Sequence, residues 1–177
     1  MSPRASLVTL ALLALPQFLL AQQSDPVAQA FRNNAKQMEK NLLAAAEEMP
    51  ADKYGYKPTA AQMSFGQIVV HLAQGNDFIC GAIGGIKAPT RSKVSATDSK
   101  DVLVARLRET FQFCEQAFAS LDDSKLGEEI PFFGGRKMTR AAIMTVATED
   151  WADHYSQSAI YLRLNGLLPP TAKKNAN

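Results

Sequence analysis

The stretch TRAAIMTVATEDWADHYSQSAIYLRLNG, residues 139–166, decides the predicted fold. Apolar side chains recur in it every three or four residues, which is the period of an amphipathic α-helix with one buried face. Thr139 is suited to cap the start of this helix, and Gly166 is suited to end it. The predicted buried face contains Ile143, Ala147, Trp151, Ser158 and Tyr161.

Three earlier segments repeat the same helical period, and no long segment alternates with the period of two that is typical of a β-strand. The first is predicted at residues 26–48 and the third at residues 99–120. The second begins at a capping box formed by Ser64 and Gln67. Together with the last helix, these segments predict an all-α fold, a four-helix bundle, in one domain over residues 22–170.

Three of the segments outside the predicted helices carry signals of their own. Residues 1–21 have the composition of a secretory signal peptide, and their apolar run is shorter than the ~30 Å core of a bilayer requires. We therefore expect cleavage near Ala21, no stable membrane anchor, and an exported chain that is periplasmic or extracellular; an uncleaved anchor is the alternative. Residues 126–138 have turn chemistry that favours a short hairpin, and residues 171–177 are predicted to be a disordered tail.

The charge of the chain is nearly balanced, with 19 lysines and arginines against 17 aspartates and glutamates. These charges are scattered along the sequence instead of forming a basic patch. Proteins that bind nucleic acid use such a patch to contact phosphates, so we expect no nucleic-acid partner.

The two cysteines, Cys80 and Cys114, lie on the second and third predicted helices. An exported chain meets oxidising conditions, which permit a disulfide between the two helices. The alternative is a pair of independent buried thiols, since free cysteine is often buried.

A cluster of polar residues on two helices suggests a binding site. Asp150 and His154 lie four residues apart, hence one turn apart, inside the apolar face of the last helix. His71 lies at the edge of the apolar face of the second helix, on the same side as Gly75 and Phe78. Two histidines and one carboxylate on facing helices match a facial metal-binding triad with open coordination positions.

Gly75 supports a ligand beside His71, because glycine weakens a helix by about 1 kcal/mol relative to alanine and leaves open space. A second interpretation needs no ligand. Asp150 then accepts a hydrogen bond from His154, and His71 is a half-exposed polar residue. Helix spacing alone does not show that the three side chains converge.

Three stretches resemble the DinB-like family, also called the DinB/YfiT superfamily. They are residues 49–58, MPADKYGYKP, residues 64–73, SFGQIVVHLA, and residues 150–170, DWADHYSQSAIYLRLNGLLPP. The resemblance covers nearly all of the chain after the predicted signal peptide. It implies a four-helix bundle with up-down-down-up topology, and it is compatible with a homodimer.

The resemblance also implies a divalent metal, held by one histidine on the second helix and an H-x-x-x-H pair on the last. His71 and His154 match two of these ligand positions. Asp150 replaces the usual histidine at the third, which leaves zinc or nickel as the expected metal but admits iron or manganese. Characterised relatives include thiol S-transferases, although the cytosolic thiols that they use do not suit an exported protein.

We therefore expect a metalloprotein that holds one divalent cation in the bundle core, with Gly75, Gln157 and Tyr161 lining the pocket. Asp153 is a weaker candidate because it projects outward. If the protein is an enzyme, we expect it to act on a small molecule, as a metal-dependent hydrolase or a thiol or group transferase. The alternative is a non-catalytic exported bundle, a binding or interaction module that has lost the metal.

Overall fold

The computed structural model describes residues 25–173, and four long helices form its main body. Within these residues, no helix has both the length and the apolar composition needed to cross a membrane. The predicted signal peptide, residues 1–21, lies outside the described residues. The predicted four-helix bundle is confirmed, with α1 at Pro26–Glu48, α2 at Phe65–Gly84, α3 at Lys100–Phe118 and α4 at Arg140–Leu164.

The start and end of α2 follow the predicted local signals. Ser64 accepts a hydrogen bond from the backbone of Gln67, and the Gln67 side chain accepts one from the backbone of Ser64, which completes the capping box. Gly85 ends the helix at φ 67°, a left-handed conformation that favours glycine. A Cβ atom at Gly84 would collide with the backbone of Ala117, so glycine here allows α2 and α3 to approach closely.

Contacts between helix ends establish the direction of the helices. Arg108, on α3, pairs with Glu47 at the end of α1 at 2.5 Å. At the opposite end of the bundle, Phe31 of α1 packs against Phe118 of α3, with ring centroids 4.9 Å apart. The two helices therefore run in opposite directions.

α2 and α3 run in the same direction, because Cys80 and Cys114 are paired one turn beyond the contact of Asn76 with Thr110. α4 runs antiparallel to α2. Arg140, at the start of α4, donates to the carbonyl of Ile83 near the end of α2. The bundle has the expected up-down-down-up topology.

The disulfide between Cys80 and Cys114 links α2 to α3, with their Cα atoms 5.0 Å apart. Both cysteines are buried in the bundle core. The sequence left open whether these residues pair or remain thiols, and the structure pairs them.

The segments between the long helices contain a hairpin and three short helical turns. The predicted hairpin is present, with β1 at Glu129–Pro131 pairing antiparallel with β2 at Lys137–Thr139. Three single 3-10 turns are also present. One lies before α2, at Ala51–Lys53, and one before the hairpin, at Asp123–Lys125. The third lies at the hairpin tip, at Phe133–Gly135.

The prediction of a disordered tail from residue 171 is wrong for its first three residues, which lie in the short helix α5, Pro170–Lys173. The Tyr155 hydroxyl donates to the Thr171 hydroxyl at 2.8 Å and accepts from the Thr171 backbone. Lys173 pairs with Glu48 at 2.5 Å. These contacts with α4 and α1 order a segment whose own sequence carries no strong helical signal.

Candidate metal centre

The fold brings together the three polar residues that the sequence selects on α2 and α4. One potential metal-ligand atom each from His71, Asp150 and His154 can be chosen so that all lie within 4.8 Å of one another. The antiparallel packing of α2 and α4 produces this arrangement from residues about eighty positions apart. We call the three residues the triad.

Asp150 contacts both histidines. Its Oδ1 atom is 3.3 Å from Nε2 of His71 and 3.4 Å from Nδ1 of His154. The two imidazole rings stack, with centroids 4.5 Å apart and planes inclined by 25°. The Asp150 carboxylate therefore lies against both imidazoles, beside Nε2 of His71 and Nδ1 of His154.

A backbone hydrogen bond orients His154. Its Nδ1 atom lies 2.8 Å from the carbonyl oxygen of Asp150, one helical turn earlier. Because a carbonyl only accepts, this contact is a hydrogen bond when Nδ1 carries the proton. Nε2 then keeps its lone pair, which is how metal-ligating histidines are commonly positioned.

The triad lies at the solvent-facing margin of the α2–α4 contact, so the expectation of a cation in the bundle core is wrong. The His71 side chain is 48% exposed and that of Asp150 is 23% exposed, whereas that of His154 is 8% exposed. The physical reason is the position of His71 at the edge of the apolar face of α2. One side of the site is anchored in the protein and the other is open to solvent.

The donor set fits a divalent first-row metal. Two ligand atoms that each lie about 2.1 Å from a tetrahedral ion are about 3.4 Å apart. The potential ligand atoms of the triad lie within 4.8 Å of one another, so binding requires an inward movement, which the half-exposed His71 side chain has room to make. Imidazole and carboxylate are both ordinary ligands of zinc, nickel, iron and manganese.

Gly75 lies one turn after His71, on the margin of the site. A Cβ atom built at Gly75 meets no heavy atom of the described residues within 4 Å. The predicted open space beside the imidazole is therefore present.

The side-chain hydrogen bonds of Gln157 and Tyr161 are made with residues outside the triad. Gln157 donates to the exposed Asp153, at 2.7 Å, on the outer side of α4. The Tyr161 hydroxyl donates to the carbonyl of Met63 at 2.8 Å, which attaches the segment before α2 to α4. Tyr161 has a raised pKa, because its burial and then the neighbouring Tyr56 disfavour the charged form.

Asn76 is a supporting residue that the sequence analysis did not select. Its side chain accepts from the indole Nε1 of Trp151 at 2.8 Å and donates to Thr110 at 3.3 Å. Trp151 directly follows Asp150, so this buried contact fixes α4 against α2 beside the triad. The sequence signal for this role was a polar residue inside the apolar face of α2, because a buried polar side chain needs a hydrogen-bond partner.

Comparison with known proteins places the fold in a family. A family model described as the DinB superfamily matches residues 34–158, which include the whole triad. The uncharacterized protein YjoA of Bacillus subtilis is 28% identical over 126 residues, which are 68% of this chain and 79% of that protein.

Solved structures agree in fold. The crystal structure of YjoA, a DinB-like protein, superposes with a TM-score of 0.63 and 22% identity over 77% of this chain and 92% of that chain. The crystal structure of a DinB-like protein from Bacillus cereus superposes with a TM-score of 0.68 and 16% identity, over 80% of this chain and 95% of that chain. The structure of a conserved protein from Enterococcus faecalis superposes with a TM-score of 0.61 and 14% identity, over 76% of this chain and 94% of that chain. With the family match extending over most of the bundle, the chain belongs to the DinB superfamily.

Proposed function

We propose that the protein binds one divalent cation through His71, Asp150 and His154 and acts on a small molecule at that site. The observation that carries this proposal is the convergence of the triad from two helices, with the donor atoms within 4.8 Å. The chain has only two histidines, and both belong to this cluster. Zinc or nickel is the metal that we propose first, with iron or manganese as the alternatives.

The three residues have different parts in this proposal. His154, held by the Asp150 carbonyl, is the fixed ligand, and the half-exposed His71 is the ligand that adjusts. The Asp150 carboxylate offsets one of the two positive charges of the cation. All three approach from the protein side, which leaves the solvent side for a substrate.

A cation at this position supplies Lewis acidity and lowers the pKa of a coordinated water or thiol. The proposed reaction is therefore hydrolysis or group transfer on a small molecule. The open margin near Gly75 supports a small-molecule substrate, because it offers space next to His71.

We also propose that the chain is exported and that residues 1–21 are removed. The Cys80–Cys114 disulfide supports this localisation, since disulfides persist in oxidising compartments and are rare in the cytosol.

A second candidate function is a non-catalytic binding or interaction module without a metal. It is favoured by the position of Asp150, whose Oδ1 atom lies within 3.4 Å of both histidines. An imidazole N–H that donates to this carboxylate would satisfy it without any cation.

The metal content of the purified protein separates the two candidates. We expect about one zinc or nickel ion per chain after dialysis without chelator, and less than a tenth of that in His154→Ala. Asp153→Asn is the matched control, because Asp153 lies on the same helix and faces outward. Wild-type protein that stays empty after incubation with zinc, nickel, iron and manganese would support the non-catalytic module instead.

A further inference from the structure

Two exposed aromatic rings stack at the end of the margin that contains the triad. Phe78 of α2 and Phe133 at the hairpin tip have ring centroids 3.8 Å apart and planes inclined by 23°. They remain 39% and 46% exposed, respectively, in spite of this stacking. We call Phe78 and Phe133 the aromatic pair.

The hairpin holds the aromatic pair in place. Phe132 is buried next to Phe133 and contacts both rings, with centroids 6.0 Å from Phe78 and 4.9 Å from Phe133. The Arg136 guanidinium lies over the Phe132 ring at 5.5 Å. The pair is therefore built on a packed support, and its outer surface is available for contact.

The aromatic pair and the triad share one side of α2. Phe78 follows His71 by seven residues, which is about two helical turns or ~10.5 Å along the axis. Gly75 lies between them, and a Cβ atom built there meets no heavy atom of the described residues within 4 Å. The exposed Gln74 is the side chain that lies between His71 and Phe78 on this side of the helix. On α4, the apolar Val146 precedes Asp150 by one turn and is partly exposed.

We infer that the aromatic pair binds an apolar, preferably aromatic, group of the substrate whose other end reaches the triad. This inference rests on the proposed function and specifies its substrate class: a small molecule with a polar, metal-coordinating end about 10 Å from a ring or an alkyl group. The alignment of His71, Gly75 and Phe78 on one side of α2, with Phe78 and Phe133 exposed at its end, carries it.

The geometry of the pair suits a planar group. Aromatic rings prefer edge-to-face or offset-stacked neighbours at centroid distances of about 4.5–7 Å, and both exposed rings offer such positions. Closing this surface with a ligand ring removes apolar area of both partners from water. The open space at Gly75 then accommodates the linker between the two ends.

Hydroxamate probes of graded length test the inference on the cobalt-loaded protein, because the cobalt spectrum reports coordination of the hydroxamate. Acetohydroxamic acid carries the coordinating end alone, and phenylhexanohydroxamic acid adds a ring at the distance of Phe78. We expect the phenyl probe to bind at least about tenfold more tightly than acetohydroxamic acid. Hexanohydroxamic acid, which lacks the ring, should fall between them.

Variants of the aromatic pair distinguish binding at this site from nonspecific hydrophobic binding of the probe. Phe133→Ala should remove most of the gain in affinity of the phenyl probe and leave the affinity for acetohydroxamic acid unchanged. Phe78→Leu, which keeps apolar volume in the helix, should remove part of the gain. Val102→Ala is the matched control, because Val102 is a similarly exposed apolar residue on α3.

The outcomes distinguish this inference from the proposed function. A wild-type protein that takes up no cobalt contradicts both. A loaded protein that binds both probes equally well contradicts only the substrate contact of the aromatic pair. A dimer that dissociates in Phe133→Ala, with unchanged probe affinities, would make the pair an interface between two copies of the chain.

Discussion

Asp150 contributes the one full negative charge within the triad, so its substitution separates charge from shape. Asp150→Asn keeps the size of the side chain and removes the charge. We expect metal affinity to fall by more than about tenfold, since even the loss of a supporting partner of a ligand has an effect of that size.

A matched pair of variants makes the Asp150 prediction specific. Asp150→His restores the H-x-x-x-H spacing with a different ligand, so it should retain bound metal, whereas Asp153→Asn should leave the affinity unchanged. Isothermal titration with zinc provides the comparison. Equal affinity in Asp150→Asn and wild type would remove Asp150 from the site.

Gly75 gives a prediction about stability. Its φ is not in the left-handed region, and a Cβ atom there meets no heavy atom of the described residues within 4 Å. Gly75→Ala should therefore raise the free energy of unfolding by about 1 kcal/mol, through helix propensity alone.

Urea unfolding of the metal-free protein measures the effect of Gly75→Ala, and Gly85→Ala is the contrasting control. Gly85 has φ 67°, so alanine there should destabilise. A loss of stability in Gly75→Ala would mean that the space beside His71 is filled.

At the scale of elements, the disulfide constrains α2 relative to α3. Cys80 and Cys114 close a loop with a sequence separation of 34 residues. In the chain-entropy model, a loop of this size stabilises the folded state by roughly 3–4 kcal/mol. We expect a loss of that order for the Cys80→Ala, Cys114→Ala double variant in urea unfolding.

Reduction of the wild type should reproduce most of the effect of the double variant, because both remove the same cross-link. An unchanged unfolding midpoint after complete reduction would show that packing of α2 on α3 alone sets the stability.

The helices were predictable because their signals are local. Ser64 with Gln67 marks the start of α2, Gly85 marks its end, and both signals operate within one turn of the chain. α5 was not predictable, because Thr171 is ordered by Tyr155, a residue from another helix. The contact of Phe78 with Phe133 likewise depends on how the hairpin folds back over α2.

At the scale of the whole molecule, the buried Tyr54 makes the free energy of unfolding depend on pH in the alkaline range. Tyr54 donates to the carbonyl of Ala46 at 2.6 Å, and its pKa is raised above the ordinary value of about 10, first by burial and then by Asp101 and Glu47. A raised pKa in the folded state means that the folded protein holds the phenol proton more tightly than the unfolded chain.

The sign of the effect follows from proton binding. Below pH ~10 both states are protonated, and the stabilising contribution is complete. Above pH ~10 the unfolded chain loses the proton first, so the free energy of unfolding falls as the pH rises toward the pKa of the folded state.

Urea unfolding from pH 8 to pH 11 measures this dependence. Tyr54→Phe should show a shallower alkaline slope than the wild type, while losing about 1 kcal/mol at pH 8 with its hydrogen bond. Parallel slopes in the two proteins would contradict the role of Tyr54.

The composition of the candidate site was predictable, whereas its depth was not. Helix periodicity places His71 at the edge of the apolar face of α2, and it places Asp150 and His154 on the apolar face of α4. The structure brings potential ligand atoms of the three residues within 4.8 Å of one another. Periodicity does not determine how far two helices rotate toward each other. That rotation leaves His71 half-exposed and puts the triad at the margin of the bundle instead of its core.

The central claim is that a cation binds between α2 and α4, and its most direct test is anomalous diffraction from crystals of the zinc-loaded protein. We predict one strong anomalous peak per chain, at about 2.0–2.2 Å from a nitrogen of His71, an oxygen of Asp150 and a nitrogen of His154. An ordered triad without a peak, or a peak only at other residues, would contradict the claim.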